Sequence, residues 1–488
     1  MVNIDQTENR VNELLDRLIK TGSKIERLNE FKQEIVDELK KDKSLESVLE
    51  DSSKVLVEMV QEFLNKKNYT GTQLITGISY CAYMPSYIGN GTYTLKILGG
   101  YNARRVVLPT ELMQKKYPHS HTIKIDDQNS SNKVGIIGKS TAFDAASITK
   151  LFTLLLTYKL EELGYINLDD KIVALNPRFS GLEDFTIRDL IRLCGDIGTV
   201  ELDENGEIKR DSSGKPVYAR IDKLDQTTEE AYEILYNNLR VLDNTRETNK
   251  YTDMGAIVLG DTISEVMSRK TGIKMSFAEI MDKYILKPLG LKETRFNPNS
   301  ANISGNNGFE VQDGKARKLG GACGHAGLFI TNDDLISTAD YIFQDPELAK
   351  RLGERTFPNS PLSRRGNFGM YLPDPGGYPA TFTPPEFSDA SFSMQGWTGS
   401  AVMFDPINYI ENGILLNTVC EDYEGNVTKP GNDPSIEEYS KKDGFMPVFE
   451  RFQASSTREF MKEYVMKEYY NIYANVKNDF YISKRLYK

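Results

Sequence analysis

Strand-like periodicity occurs in two places far apart along this chain, and that separation limits its possible folds most. Leu74 to Met84 and Tyr93 to Leu98 alternate with a period of two around Ile88-Gly89-Asn90-Gly91, the signature of a hairpin. Ser391 to Phe404 and Asn408 to Thr418 read as two further strands. Helical spacing dominates between them: a run from Ser147 to about Leu163 that ends at Gly164, then Asp184–Gly195, Glu229–Leu242, Met254–Ser268 and Phe277–Ile285. Strands from both ends can share a sheet only if the helical stretch is an insertion between them. The order therefore predicts an α/β protein, of the α+β type.

The flanking regions carry less information. Residues 1–68 show helical apolar stripes (Leu14, Leu15, Leu18, Ile19; Leu28, Phe31, Ile35, Leu39; Val55, Leu56, Met59, Val60, Phe63, Leu64) and read as an N-terminal helical extension. It either packs on the main body or forms an oligomer or partner contact. A polar stretch from about 101 to 132, with His119 and His121, reads as a long loop. Ser456-x-x-Glu459 has the spacing of a capping box opening a last helix with Met461, Tyr464, Val465, Tyr469, Ile472, Tyr473 and Val476 on one face.

Composition excludes several function classes. The net charge of −10 argues against a nucleic-acid or anionic-membrane partner. No run approaches the roughly 18 apolar residues of a membrane span, and the N-terminus lacks a signal-peptide pattern, so the expectation is a cytoplasmic protein. Cys81, Cys194, Cys323 and Cys420 are scattered and cannot be joined to His119, His121 and His325 at zinc-ligand spacing, so no metal is expected. The cysteines read as buried free thiols.

Chemistry enters at Ser147-Ile148-Thr149-Lys150. The serine opens an apolar helix, where unpaired N–H groups and the positive dipole end favour an oxyanion. Lys150, three residues on, shares its face and reaches the hydroxyl, as activation of a serine nucleophile requires. Ser130–Lys133 and Ser212–Lys215 have the same spacing but lie in polar, turn-like stretches without a helix to orient them. Tyr251-Thr252-Asp253 precedes a glycine-punctuated apolar helix, and a phenol beside an ammonium can relay a proton.

With Lys287-Pro-Leu-Gly-Leu-Lys-Glu-Thr294, Gly320-Gly-Ala-Cys-Gly-His-Ala-Gly-Leu-Phe329 and Gly396-Trp-Thr-Gly-Ser-Ala-Val-Met-Phe-Asp-Pro406 following in order, the chain resembles the serine β-lactamase and penicillin-binding-protein superfamily, in its class C branch. That branch includes D-amino-acid peptidases and esterases. The resemblance spans about residues 70 to 425 plus the final helix. It implies the β-lactamase/transpeptidase-like fold: an antiparallel sheet flanked by helices, with a mostly helical lobe. Residues 69–488 would form this domain, with a sheet lobe at about 69–140 and 390–488 and a helical lobe at about 141–389.

The resemblance also implies roles. Ser147 would be acylated, Lys150 its proton partner and Tyr251 the general base that later acts as acid. Asp253 would bridge Lys150 and the substrate amide. The N–H groups of Ser147 and Trp397 would form the oxyanion hole, and no cofactor would be needed. Where the family has Lys-Thr-Gly or His-Thr-Gly, this chain has Met394-Gln395-Gly396. Methionine supplies neither charge nor donor, while Gly396 still lets the backbone approach a ligand. His325 reads as structural or as supporting the site indirectly, and Trp397 as a pocket wall. The expectation is a serine hydrolase for an ester or amide, a small molecule or peptide, and not an efficient β-lactamase. The alternative is a silent relative that binds a peptide or protein partner.

Overall fold

The computed structural model describes residues 33–34, 45–64, 75, 77–85, 92–102, 135–416, 420–421, 427–428, 452–453, 455–460 and 462, with breaks at 224, 245–249, 299–302, 305–310, 357–364 and 374–386. Most of 1–68, the stretch containing His119 and His121, and the apolar face from Met461 to Val476 lie outside the described residues.

In chain order the strands are β1 (Gly77–Pro85), β2 (Thr92–Asn102), β3 (Gly135–Ile136), β4 (Ala142–Asp144), β5 (Asp196–Thr199), β6 (Leu239–Asp243), β7 (Arg295–Phe296), β8 (Ile303–Ser304), β9 (Leu328–Ile330), β10 (Phe392–Gln395), β11 (Ala401–Asp405), β12 (Ile410–Leu416), β13 (Cys420–Glu421) and β14 (Val427–Thr428). Six form one antiparallel sheet in the order β10-β11-β12-β1-β2-β3. Strands from both ends of the chain thus meet at the β12–β1 pair, from Ile78↔Leu416 to Tyr83↔Glu411. The expected hairpin is present, with β1 and β2 paired as far as Pro85↔Thr92.

Three sequence expectations need correction, the first two at Ser391–Phe404 and Ser456. Ser391 to Phe404 is not one strand: the chain turns at Gly396–Ser400, where Gly399 has φ 88° and Gly396 N–H donates to Ser400 O at 2.7 Å. Ser456 does not cap the last helix. It lies among helical residues and its hydroxyl donates to Gln453 O at 3.2 Å, so the apparent capping box is an internal turn.

The helices that matter below are α1 (Leu45–Leu64), α2 (Thr149–Glu162), α3 (Ile187–Ile191), α4 (Thr228–Asn238), α5 (Met254–Thr271), α6 (Gly314–Lys318) and α7 (Asn332–Gln344). The helical pattern at Glu229–Leu242 ends earlier than its spacing suggests, because Leu239 to Asp243 pair with β5 as strand β6.

Helices cover the main sheet on both faces. Alternation along β1 sends Ser79 and Tyr83 toward α7, where they meet Asn332 and Asp340, and sends Tyr80 the other way to Ser456 O. Helix α1 packs on the second face: Leu56, Val60, Phe63 and Leu64 are buried, and Phe63 stacks on Phe452 with ring centroids 3.9 Å apart. The last part of the N-terminal block therefore packs on the body. Cys81 and Cys323 are free and buried, and Cys194 is buried, as expected. Among the described residues no helix is long and apolar enough to cross a membrane.

Candidate active site

Helix α2 is buried on nearly every side from Thr149 to Tyr158, an axis of the core rather than an amphipathic surface helix. Its buried hydroxyls are satisfied: Thr153 donates to Thr149 O and Gly324 O, and Thr157 to Thr153 O. Such a helix can carry a lysine only if the ammonium is partnered.

Ser147 sits just before α2, in a 3-10 turn spanning Ala146–Ile148. Ala146 has φ 45°, an unusual value for a residue with a Cβ, and the turn is held by Asp144. One Asp144 carboxylate oxygen accepts Ala146 N–H at 2.8 Å and the other accepts Gln312 N–H at 2.7 Å. Burial pushes this carboxyl up to about 6 despite those two bonds.

Lys150 has no solvent exposure, and its Nζ lies 3.0 Å from Ser147 Oγ, 3.0 Å from the Tyr251 hydroxyl and 2.9 Å from Asp253 Oδ1. Three acceptors thus meet the three hydrogens of an ammonium, with His325 O a longer fourth contact at 3.4 Å. Tyr251 and Ser147 share a hydrogen bond of 2.7 Å between their hydroxyls. Burial alone would favour the neutral amine, but the Asp253 carboxylate and the Tyr251 hydroxyl outweigh it and hold Lys150 above the ordinary lysine value. The resting residue is a charged donor.

The network extends beyond the residues singled out from sequence. Asp253 Oδ2 pairs with Lys315, on α6, at 2.9 Å, and Asp313 Oδ1 pairs with His325 Nε2 at 2.9 Å. Burial opposes both carboxylates, yet Lys150 and Lys315 hold Asp253 well below its usual range, and His325 and Lys315 lower Asp313. Asp253, Asp313 and His325 bring possible ligand atoms within 4.8 Å of one another. Two ammonium groups already compensate these carboxylates, so the donor set suits a closed ion-pair network better than a metal ion.

The third-motif residues lie on and beyond β10. Met394 is only 2% exposed and Gln395 is also buried, whereas Trp397 is 42% exposed. A Cβ on Gly396 would come 2.6 Å from Ala145 O, so the bare backbone lets the end of β10 lie against the turn that carries Ser147. Thr398 strengthens that contact by donating to Asp144 O at 2.9 Å. The structure thus gathers Ser147, Lys150, Tyr251 and Asp253 into direct contact, with Gly396 beside the turn. His325 meets Lys150 through its carbonyl, and its ring points to Asp313.

Sequence reasoning missed Asp144, Asp313 and Lys315. Asp144 stands three residues before Ser147 and had a local signal, since an Asp two residues before an exposed turn N–H can accept from it. Lys315 lies on α6, and Asp313 caps that helix by accepting Ala316 N–H at 2.9 Å, a local signal that says nothing of its nearness to Ser147.

Residues 135–429 match the family model described as Beta-lactamase. Among solved structures, EstCE1, a hydrolase with promiscuous acyltransferase activity, aligns over 83% of this chain and 98% of its own at 16% identity, with a TM-score of 0.52. The D-alanine carboxypeptidase AmpC from Burkholderia cenocepacia aligns over 84% of this chain and 99% of its own, also at 16% identity, with a TM-score of 0.49. None of the curated proteins compared with the chain matches it. Because the matched stretch is well over half of its length, the chain belongs to the Beta-lactamase family, within the serine β-lactamase and penicillin-binding-protein superfamily.

Proposed function

We propose that the protein is a serine acyl hydrolase acting on a neutral ester or amide. The observation that carries this reading is the closed triangle of Ser147 Oγ, Lys150 Nζ and the Tyr251 oxygen, with sides of 3.0, 3.0 and 2.7 Å. Lys150, held as an ammonium, donates to the Tyr251 and Ser147 oxygens and orients both, and a deprotonated Tyr251 serves as the base. Tyr251 takes the Ser147 proton as the serine oxygen bonds to the substrate carbonyl carbon. The oxyanion rests on the backbone N–H groups of Ser147 and Trp397, a device whose donors are worth roughly 2.7–4 kcal/mol each in other acyl-transfer enzymes. The bond to the leaving alcohol or amine then breaks, and Tyr251 returns the proton to it. Water repeats the sequence on the acyl-enzyme, with Tyr251 again as base and Ser147 as leaving group.

Met394 supports the choice of a neutral substrate. It is buried and uncharged where relatives have a cation that meets a substrate carboxylate, so β-lactam and D-Ala-D-Ala substrates lose that anchor.

The test compares the parent with Ser147→Ala on short-chain p-nitrophenyl esters, followed by intact-mass measurement of the adduct. Ser147-dependent turnover is expected, with an acyl mass added to the parent and none to Ser147→Ala. Equal rates for parent and variant would remove the hydrolase reading and leave that of a silent binding protein.

A further inference from the structure

Tyr251 is 43% exposed, and a half-open phenol needs something to hold its ring if the oxygen is to stay on Ser147. Lys150 approaches it from inside the core, with Nζ 5.0 Å from the ring centroid. A second group approaches from a segment that no motif marks. The Arg365 guanidinium carbon lies 5.6 Å from the same centroid and 4.2 Å from that of Tyr371. Its Nη1 donates to Gly369 O and its Nη2 to the Tyr371 hydroxyl, both at 3.1 Å.

These bonds close a small turn, Arg365 to Tyr371, that passes under the Tyr251 ring. Phe368 and Gly369 both have positive φ, 51° and 77°, and Phe368 is fully buried. A Cβ on Gly369 would lie 2.5 Å from Tyr251 Cδ2 and 2.9 Å from Cε2, so only a glycine gives the ring its seat.

The turn is fixed at both ends to the elements that carry the site. The Asn367 amide donates to the Tyr158 hydroxyl on α2 at 3.0 Å, the helix of Lys150. Tyr371 exchanges two backbone bonds with Ser393, at 2.8 and 3.0 Å, on the strand that bears Met394.

We propose that Arg365 and Gly369 are positioning residues for Tyr251, seating and capping its ring so that the phenol oxygen stays on Ser147 without a cation at position 394. In the resembling proteins the third-motif cation supports proton transfer at the serine; here a guanidinium on the neighbouring segment does so by holding the phenol. The consequence for turnover rests on the acyl-transfer reading, whereas the clamp itself is a statement of geometry.

The test uses the full chain with Arg365→Ala, Arg365→Lys and Gly369→Ala, and reads both kinetics and crystal structures. With p-nitrophenyl acetate, Arg365→Ala should lower kcat about 100-fold, the cost of a misplacement of roughly 1 Å, with KM changed less than about twofold. Arg365→Lys, which keeps a cation over the ring, should recover at least about tenfold of that loss. Crystals of Arg365→Ala, or of Gly369→Ala where the first variant does not fold, should show the Tyr251 oxygen out of hydrogen-bond range of Ser147. A raised KM with kcat intact would assign Arg365 to substrate binding and overturn the clamp. So would a Tyr251–Ser147 contact left unchanged in the variant crystals. If the parent shows no Ser147-dependent turnover, the hydrolase reading falls, and the crystals still decide the clamp.

Discussion

Lys150 and Asp253 form a 2.9 Å ion pair in which the lysine side chain has no exposure and the aspartate little. The pair compensates the charge of a lysine on a helix that is buried on nearly every side from Thr149 to Tyr158. Asp253→Asn keeps the shape and an acceptor oxygen but removes the countercharge. Urea unfolding should show a loss of about 3 kcal/mol, the low end for breaking a buried pair, and esterase activity should fall with it. A variant as stable as the parent would mean that Lys315 and Asp313 rearrange to compensate.

A second buried ionisable group lies in the sheet, on β12 opposite Phe404. Glu411 on β12 is fully buried, and neither carboxylate oxygen has a hydrogen-bond partner among the described residues. Burial holds its carboxyl well above the ordinary value, so the folded protein binds that proton more tightly than the unfolded chain does. The associated stability is complete below the unfolded value of 4.5 and declines as pH rises toward the raised folded value. Glu411→Gln removes the titrating group. Thermal melts from about pH 5 to about pH 8 should fall less steeply for the variant than for the parent; parallel curves would contradict this.

Gly396 permits the contact between β10 and the turn that carries Ser147. Gly396→Ala must move either Ala145 O or the strand, because its Cβ would lie 2.6 Å from that oxygen. The expected result is a folded protein whose kcat on esters is down about 100-fold. Full activity in a folded variant would show that the β10 end is not needed at the site.

Phe63 tests whether the N-terminal block belongs to the body. Its ring is 2% exposed and stacked on Phe452. Phe63→Ala should cost about 3 kcal/mol in denaturant unfolding, as for other buried phenylalanines. A negligible change would mean that α1 is held by other contacts or is dispensable.

Periodicity exposed the sheet from both ends of the chain because a half-buried strand and a buried helix impose different spacings on apolar residues. The errors fell where local pattern and tertiary pairing disagree. Leu239 to Asp243 continue a helical spacing, yet β5 offers them ladder partners. Ser456 and Glu459 have the right separation for a cap, but the helix has already begun before them.

By itself the sequence determined that Ser147 and Lys150 would share a helix face, since three residues make nearly one turn. It also marked Tyr251, Asp253 and Gly396 as partners through motifs in a shared order. Tertiary structure alone decided which groups balance the buried lysine and which hold the phenol. Lys315 on α6, Asp313 at its cap and Arg365 reach the site from segments distant in the chain, and ion pairing and ring contact act across space, leaving no periodic trace in the order of residues.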